Sequence, residues 1–458
     1  MPAISYGSGA YRRERGDLPE FTLVNMYLEA TPSAEAAAVL LSRPGLTSYL
    51  LPGAGPIKAV FSQPGTYGGD IFTVSGGNFY RQTTLLAAIA GTGPVSIAAS
   101  ATEVLVTAGS TLYSYNGTDT VAVTLPDAFS ALAVTHISGH FVVGRSGSHK
   151  YYWSALLNGR SWDALNFASA ESEPDYLLDV ETVRGNLYLM GQSSIEPWYY
   201  QGALNLPFSL IQQRIFPQGI LATGSAVEMD NSLLWVGSDG LVYRTGDVAE
   251  RISDHGIEER IAQSATVSAF SFVHEGHNFF CLRLATGTYA YDAATRQWCE
   301  LRTYGRANFA GQCATVRGQI VLLGDDTLGK VWTFGGFTDG GVALHREWTG
   351  AFPLKGGALP VDNLTVDANA GQTDLLTGQG SDPLIELETS RNAGATWGEP
   401  RMARLGKQGE YRTRTRWNRL GLFDAPGAMF RFRITDPVDV RVSSVLINEA
   451  GGGRSRGA

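Results

Sequence analysis

The stretch Leu233-Leu-Trp-Val-Gly-Ser-Asp-Gly-Leu-Val-Tyr243 reads as a β-hairpin: a short apolar strand, a turn built from Gly and Asp, and a second strand ending on an aromatic residue. The same grammar recurs at Ile71–Tyr80, Val104–Tyr115, Phe141–Trp153, Leu187–Tyr200, Phe279–Tyr291 and Val321–Phe334, although no short motif is shared. Measured between the first-strand positions Phe72, Leu105, Phe141, Leu187, Leu233, Phe279 and Val321, the spacings are 33, 36, 46, 46, 46 and 42 residues. Paired strands at a period of ~40 to 45 residues are the signature of propeller blades. One hairpin exposes a face it cannot bury alone, and radial stacking buries those faces while leaving only short edges. The expected fold is therefore all-β, a β-propeller of six or seven hairpin-based blades. An open array of antiparallel sandwiches is the alternative, because hairpins by themselves do not require closure.

Outward from the repeat, the pattern changes on both sides. Residues 1–58 combine Arg12-Arg-Glu-Arg15, the strand-like Phe21–Leu28, an Ala-rich stretch and Arg43-Pro-Gly45, which predicts an extended N-terminal arm tied onto another body. The propeller is expected over 59–345. Beyond it come longer alternating stretches at Leu364–Ala368, Leu384–Ser390, Tyr411–Trp417, Met429–Ile434 and Val438–Val442, which predict a C-terminal β-rich, sandwich-like module over 346–450. The low-complexity Gly451-Gly-Gly-Arg-Ser-Arg-Gly-Ala458 is expected as a flexible tail.

Composition agrees with many turns and few solvated helices. Of 458 residues, 17% are charged and 55 are glycine, where about 25% charged is usual. A coiled coil, a basic nucleic-acid binder and a disordered acidic tail are excluded, since each needs far more charge. The net charge of −8 is uneven: nine basic residues between Arg401 and Arg433 face only Glu410 and Asp424, a local +7 that leaves −15 elsewhere. Alternation places Arg412, Arg414 and Arg416 on one face of an expected strand, with Arg419 close by. Docking to an acidic partner and pairing with acids of the same chain remain equal readings. The N-terminus shows no charged-then-apolar leader and no run reaches the ~18 apolar residues of a spanning helix, so the chain is expected to be made in a cytoplasm without direct membrane insertion.

Ordinary catalytic chemistry finds no anchor. Phosphate-binding, dinucleotide-binding, nucleophile-elbow and zinc-protease motifs are missing from the sequence. Cys281, Cys299 and Cys313 fit no metal spacing and are expected as buried thiols. Glu171, Glu173, Asp175, Asp325 and Asp326 are the candidate acid and nucleophile carboxylates, but nothing in the sequence pairs them at the ~5 to 9 Å that glycoside hydrolysis needs, and solvated loop carboxylates are the simpler reading. His136/His140 and His274/His277 have ligand-like spacings without a third ligand, and His274 and His277 are expected on opposite faces. Ser390-Arg-Asn-Ala-Gly-Ala-Thr-Trp397 resembles the Asp-box of sialidases with Asn392 in place of Asp. It motivates an alternative function, a propeller glycosidase or lyase acting on host-surface polysaccharide. No catalytic, cofactor or metal residue is assigned.

A wider resemblance decides between these readings. Leu23-Val-Asn-Met-Tyr27, Arg43-Pro-Gly45, Ser194-Ile-Glu-Pro-Trp-Tyr-Tyr-Gln-Gly202, Phe216-Pro-Gln-Gly-Ile220, Tyr289-Ala-Tyr-Asp292 with Gln297-Trp-Cys299, and Arg416-Trp-Asn-Arg-Leu-Gly421 occur in this order. Together they resemble the packaged-DNA stabilisation proteins, also called tail accessory or nozzle proteins, of short-tailed bacteriophages, over residues 20–447. The resemblance implies a non-enzymatic virion tail protein without a cofactor. It implies a homo-hexamer below the portal and head-to-tail adaptor, closed by a tail needle or plug and carrying tailspikes or fibres. It also implies that double-stranded DNA passes through the lumen without specific binding, which the acidic bulk of the chain would favour. The candidate contact residues toward subunits or partners are Arg12, Arg13, Arg15, Arg412, Arg414, Arg416 and Arg419. The tail after Asn448 and the Asp-box-like turn have no counterpart in that family pattern.

Overall fold

The computed structural model describes residues 5–6, 21–31, 38–89, 92–354, 356–425 and 427–448. Its centre is a seven-bladed propeller. Each of the seven hairpins read from the sequence forms the middle pair of a four-stranded antiparallel blade. The middle strands are legible because neighbouring blades cover both of their faces: Val104–Ala108 and Ser232–Val236 are buried almost throughout. The outermost strands, such as Thr120–Ala122, are half exposed and carry little pattern. First and second strands are joined in several blades by two-residue turns with both φ angles positive, as at Arg184-Gly185 and Glu275-Gly276; this geometry matches the twist of a hairpin.

The innermost strands of adjacent blades touch all the way round, so the ring is closed. Polar latches cross the blade boundaries. The amide of Val134 donates to Ser96 Oγ at 2.8 Å, Thr135 to Thr182 at 2.8 Å, the amide of Gly224 to Asp179 at 2.9 Å, Ser271 to the carbonyl of Glu228 at 2.7 Å, and Gln312 to the carbonyl of Ile57 at 2.9 Å. A central cavity of about 480 Å³ remains between the inner strands.

Closure of the seventh blade is decided far from its own hairpin. Three strands, Gly311–Arg317, Ile320–Asp325 and Val331–Phe334, come from the end of the repeat; the fourth is Leu46–Leu50, which pairs with Val331–Phe334. Within the stretch expected as an extended arm, the structure thus contains a blade strand. It also contains Leu23–Val24, Met26–Ala30 and Ala38–Ser42, which enter other sheets. Arg12, Arg13 and Arg15 lie outside the described residues, as does the tail 451–458.

The C-terminal part is a β-sandwich. One sheet runs in the order Met26–Ala30, Ala38–Ser42, Arg441–Ile447, Ala358–Ala368, Thr415–Asp424. The other contains Arg346–Pro353, Gly427–Ile434, Leu384–Ser390 and Arg401–Arg404, and it continues through Leu23–Val24 into the outer strand of the sixth blade, Gln297–Leu301. Trp348 stacks on Phe432 with centroids 4.9 Å apart, and one apolar core runs from Phe272, Phe279 and Cys299 of the sixth blade to Phe430 and Val442 of the sandwich. Propeller and sandwich therefore share a core rather than meeting across a wet linker.

Candidate subunit and partner interface

The device that sets the sandwich on the propeller is built around Asn25. Its φ of +55° turns the chain from one sandwich sheet to the other, a backbone region that Asn tolerates better than most residues. The fully buried side chain donates to the carbonyls of Arg302 (2.8 Å) and His345 (2.7 Å) and accepts from Arg43 Nε (2.8 Å) and the amide of Arg302 (2.9 Å). Its hydrogen-bonding capacity is thus fully used. Arg43 continues the network: its guanidinium grips Asp339 at 2.9 and 2.7 Å, donates to the carbonyls of Pro44 and Arg302, and lies 4.9 Å from the Phe309 ring centroid. Both partners are almost inaccessible, at 4% and 2%. Gly45 packs so close that an added Cβ would lie 2.2 Å from the carbonyl oxygen of Thr338. The motifs Leu23–Tyr27 and Arg43-Pro-Gly45 are therefore two halves of one junction, whose third member, Asp339, no sequence pattern marked.

A second buried arginine reinforces it. Arg346, with no exposed surface, donates to Ser42 Oγ (2.6 Å) and to the carbonyls of Asp436 and Val438 (2.9 Å each). Burial, with the nearby charge of Arg43, pulls its pKa down to about 10. Next to it, burial opposes ionisation of Glu347, but hydrogen bonds from His345 and Arg433 outweigh burial and hold the carboxyl at about 2.

The basic stretch divides into two groups. Arg404 pairs with Asp382 and Glu410, Arg431 with Glu388, and Arg433 with Glu347 and Glu388. Arg401 donates to the carbonyls of Asn418 and Arg419. These side chains pair within the chain. The expected strand over Arg412–Arg416 is not found: the loop before Thr415 carries Gly406 and Gly409 at positive φ and turns at Glu410, so Arg412 and Arg414 precede the strand while Arg416 and Arg419 lie in it. Arg416 is half-buried, and Arg414 and Arg416 have contacts of their own. Arg412 and Arg419 are exposed and, among the described residues, carry no ion pair. The structure thus places Arg419 on the edge strand Thr415–Asp424 of the sandwich and Arg412 in the loop that leads into it.

The other sequence candidates resolve into structure. Asp325 is completely buried, accepting from Trp332 Nε1 (2.7 Å), the amides of Thr327 and Leu328, and Arg306; Asp326 binds Arg283 and Arg306. Glu171 and Glu173 are exposed, while Asp175 accepts the amide of Ser193. His274 and His277 are direct cross-strand partners and so share a face, contrary to the expectation from their spacing, because the turn between them is a two-residue hairpin. His277 hydrogen-bonds Asp292 at 2.8 Å, and among the described residues no three ligands gather for a metal. Cys281 and Cys299 are buried and Cys313 half-buried, with all three thiols raised by burial. In the Asp-box-like turn, Asn392 accepts from Ser390 Oγ and the Thr396 amide and donates to Thr396 Oγ1, while Arg431 lies 4.2 Å from the Trp397 ring. That is a self-contained turn in the sandwich, away from the blades.

One cluster left no trace in the sequence. Glu181 on the inner strand of the fourth blade feels the charges of Asp179 on its own strand and of Glu228 in the fifth blade. Burial pushes Asp179 up to about 6, and burial with the charges of Asp179 and Glu228 pushes Glu181 up to about 8. On those shifts the folded state binds protons more tightly here than the unfolded chain does, so the contribution of this cluster to stability is expected to fall as pH rises from ~4.5 toward 8. Glu181→Gln is expected to flatten that segment, raising the melting temperature more at pH 8 than at pH 5. Equal shifts at both pH values in a melting series would contradict it.

Comparison with known proteins matches both parts of this architecture. A family model for the β-propeller of bacteriophage P22 Gp10 matches residues 3–335, and one for the β-sandwich of P22 Gp10 matches residues 345–449. The tail hub protein gp10 of Salmonella phage P22 is 24% identical over 319 residues, covering 63% of this chain and 67% of that protein. Among solved structures, YCF48 from Cyanidioschyzon merolae overlaps 64% of this chain and 98% of its own at 12% identity and a TM-score of 0.43. The propeller domain of Cps50 (Swd1) from Myceliophteria thermophila overlaps 63% and 99% at 8% identity and a TM-score of 0.43.

Proposed function

The chain belongs to the bacteriophage P22 Gp10 family, and from that premise we propose that it is a non-enzymatic structural protein of a short phage tail, a hub or nozzle made in the host cytoplasm and built into the virion. In this reading six copies form a tube below the portal and head-to-tail adaptor. The tube retains packaged DNA, conducts it at ejection, receives a needle or plug, and carries tailspikes or fibres. The observation that carries it is the match of family models to both the propeller and the sandwich, in the order found here, together with a relative that is itself a tail hub protein. The shared core and the Asn25–Arg43–Asp339 junction support a mechanical role, since they hold the two bodies in one orientation under load. The net −15 outside the basic stretch suits a wall that DNA passes without sticking.

The test is a phage lacking this chain, complemented from a plasmid. Heads are expected to fill with DNA and then lose it to added nuclease, with protection restored by the supplied protein, and native mass of the isolated tail is expected to give six copies. Stable, DNA-retaining, infectious particles without the chain would overturn the reading, and any other copy number would overturn the hexamer.

A further inference from the structure

We propose that the five-stranded sandwich sheet joins copies of this chain head to tail, the arginine-bearing edge of one copy docking on the acidic opposite edge of the next. The proposal rests on the ring reading above and names its contact. The two edges are Thr415–Asp424 and Met26–Ala30, at the ends of the strand order and separated by four strand spacings, or roughly 19 Å. The first carries Arg416 and Arg419 against Asp424, and the second carries Glu29.

On the first edge Arg419, and in the loop leading into it Arg412, are exposed and carry no ion pair among the described residues, whereas Arg404, Arg431 and Arg433 are paired with internal carboxylates. Arg401 also caps the carbonyls of Asn418 and Arg419, and Arg391 caps that of Leu420. Those three carbonyls are thus occupied, which disfavours the addition of a further strand at this part of the edge.

On the other edge Glu29 is exposed beside a cavity of about 320 Å³ that is also lined by Glu275 of the sixth-blade hairpin and by Asp439 and Arg441 of the sandwich. Arg441 pairs with Asp439 at 3.0 Å, the charge of Arg43 is taken by Asp339, and burial lowers the pKa of His274. Among the described residues lining this cavity, three carboxylates therefore stand against one exposed cation, Arg441. Two different, complementary patches on one chain are what a heterologous contact requires, and such contacts close into a ring when the rotation between copies is an integral fraction of a turn. Because both patches are solvated, the contact steers and selects copies more than it supplies raw affinity, and it weakens with salt.

The test uses two full-length variants, R412E/R419E and E29K/E275K, each checked for wild-type melting, added to particles assembled without the chain. E29K/D439K replaces the second variant if E275K disturbs its turn. Copies per particle, counted by quantitative mass spectrometry, are expected to fall ~10-fold or more for either variant alone, since like charges then face each other. An equimolar mixture is expected to return to within about twofold of wild type, because the reversed edges complement one another in an alternating ring. Wild-type copy number for either variant alone, or no rescue on mixing, overturns this contact and leaves the hub reading standing. Failure of the wild-type chain itself to assemble in multiple copies overturns both.

Discussion

Replacing Asp339 by alanine is expected to cost the folded chain ~3 to 5 kcal/mol, because it strands the Arg43 guanidinium in a site that is 4% accessible. Arg43 would keep its hydrogen bonds to Asn25 Oδ1 and to the carbonyls of Pro44 and Arg302, but its charge would have no counterion. Removing both partners in R43A/D339A should be less damaging than the sum of the single changes, since the remaining groups are then neutral; a double-mutant cycle in denaturant reads that coupling. Asp339 sits between the segments matched by the two family models, so limited proteolysis of the single variant should gain a cut within residues 335–345. A D339A protein with wild-type melting and protease resistance would show that the pair does not hold the junction.

Removing residues 1–50 is expected to be more severe and to abolish soluble, cooperatively folding protein. The truncation deletes the outer strand of the seventh blade and exposes the edge of Val331–Phe334 beside the apolar Trp332. It also deletes the edge strand Met26–Ala30 and its neighbour Ala38–Ser42 from the sandwich sheet, and the strand Leu23–Val24 that joins propeller to sandwich. An unpaired, apolar edge of this kind is an aggregation template. A milder probe is Gly45→Ala, where overpacking against Thr338 should cost roughly 1 to 3 kcal/mol, read as a lower denaturation midpoint with an unchanged slope. A truncated chain that remains monomeric and melts cooperatively would mean that blade seven closes without its N-terminal strand.

The blades were legible because each middle hairpin is covered on both faces by its neighbours. That burial writes apolar strands and a glycine turn into about a dozen consecutive residues, and stacking repeats the pattern. The inner strands, which line a cavity and exchange single polar latches such as Thr135 with Thr182, leave no comparable run. The arginine cluster was visible as composition, but its division between internally paired Arg404, Arg431 and Arg433 and exposed Arg412 and Arg419 depends on carboxylates and a glycine turn that composition does not place. The shared face of His274 and His277 is hidden from the sequence for a related reason: it follows from the length of the turn, not from their separation alone.

What the sequence determined by itself was local: an all-β chain, seven hairpins at blade spacing, a change of rhythm near residue 345, and an uneven charge. Periodicity over ten residues reports such things because strand geometry is set by adjacent residues. Only the tertiary structure decided how the propeller ring closes and how the sandwich is set on it. Leu46–Leu50 completes a blade whose other strands begin at Gly311, and Arg43 meets Asp339 across 296 positions. Those pairings are selected by the burial and charge balance that the whole fold creates, and neither partner carries a local mark of the other.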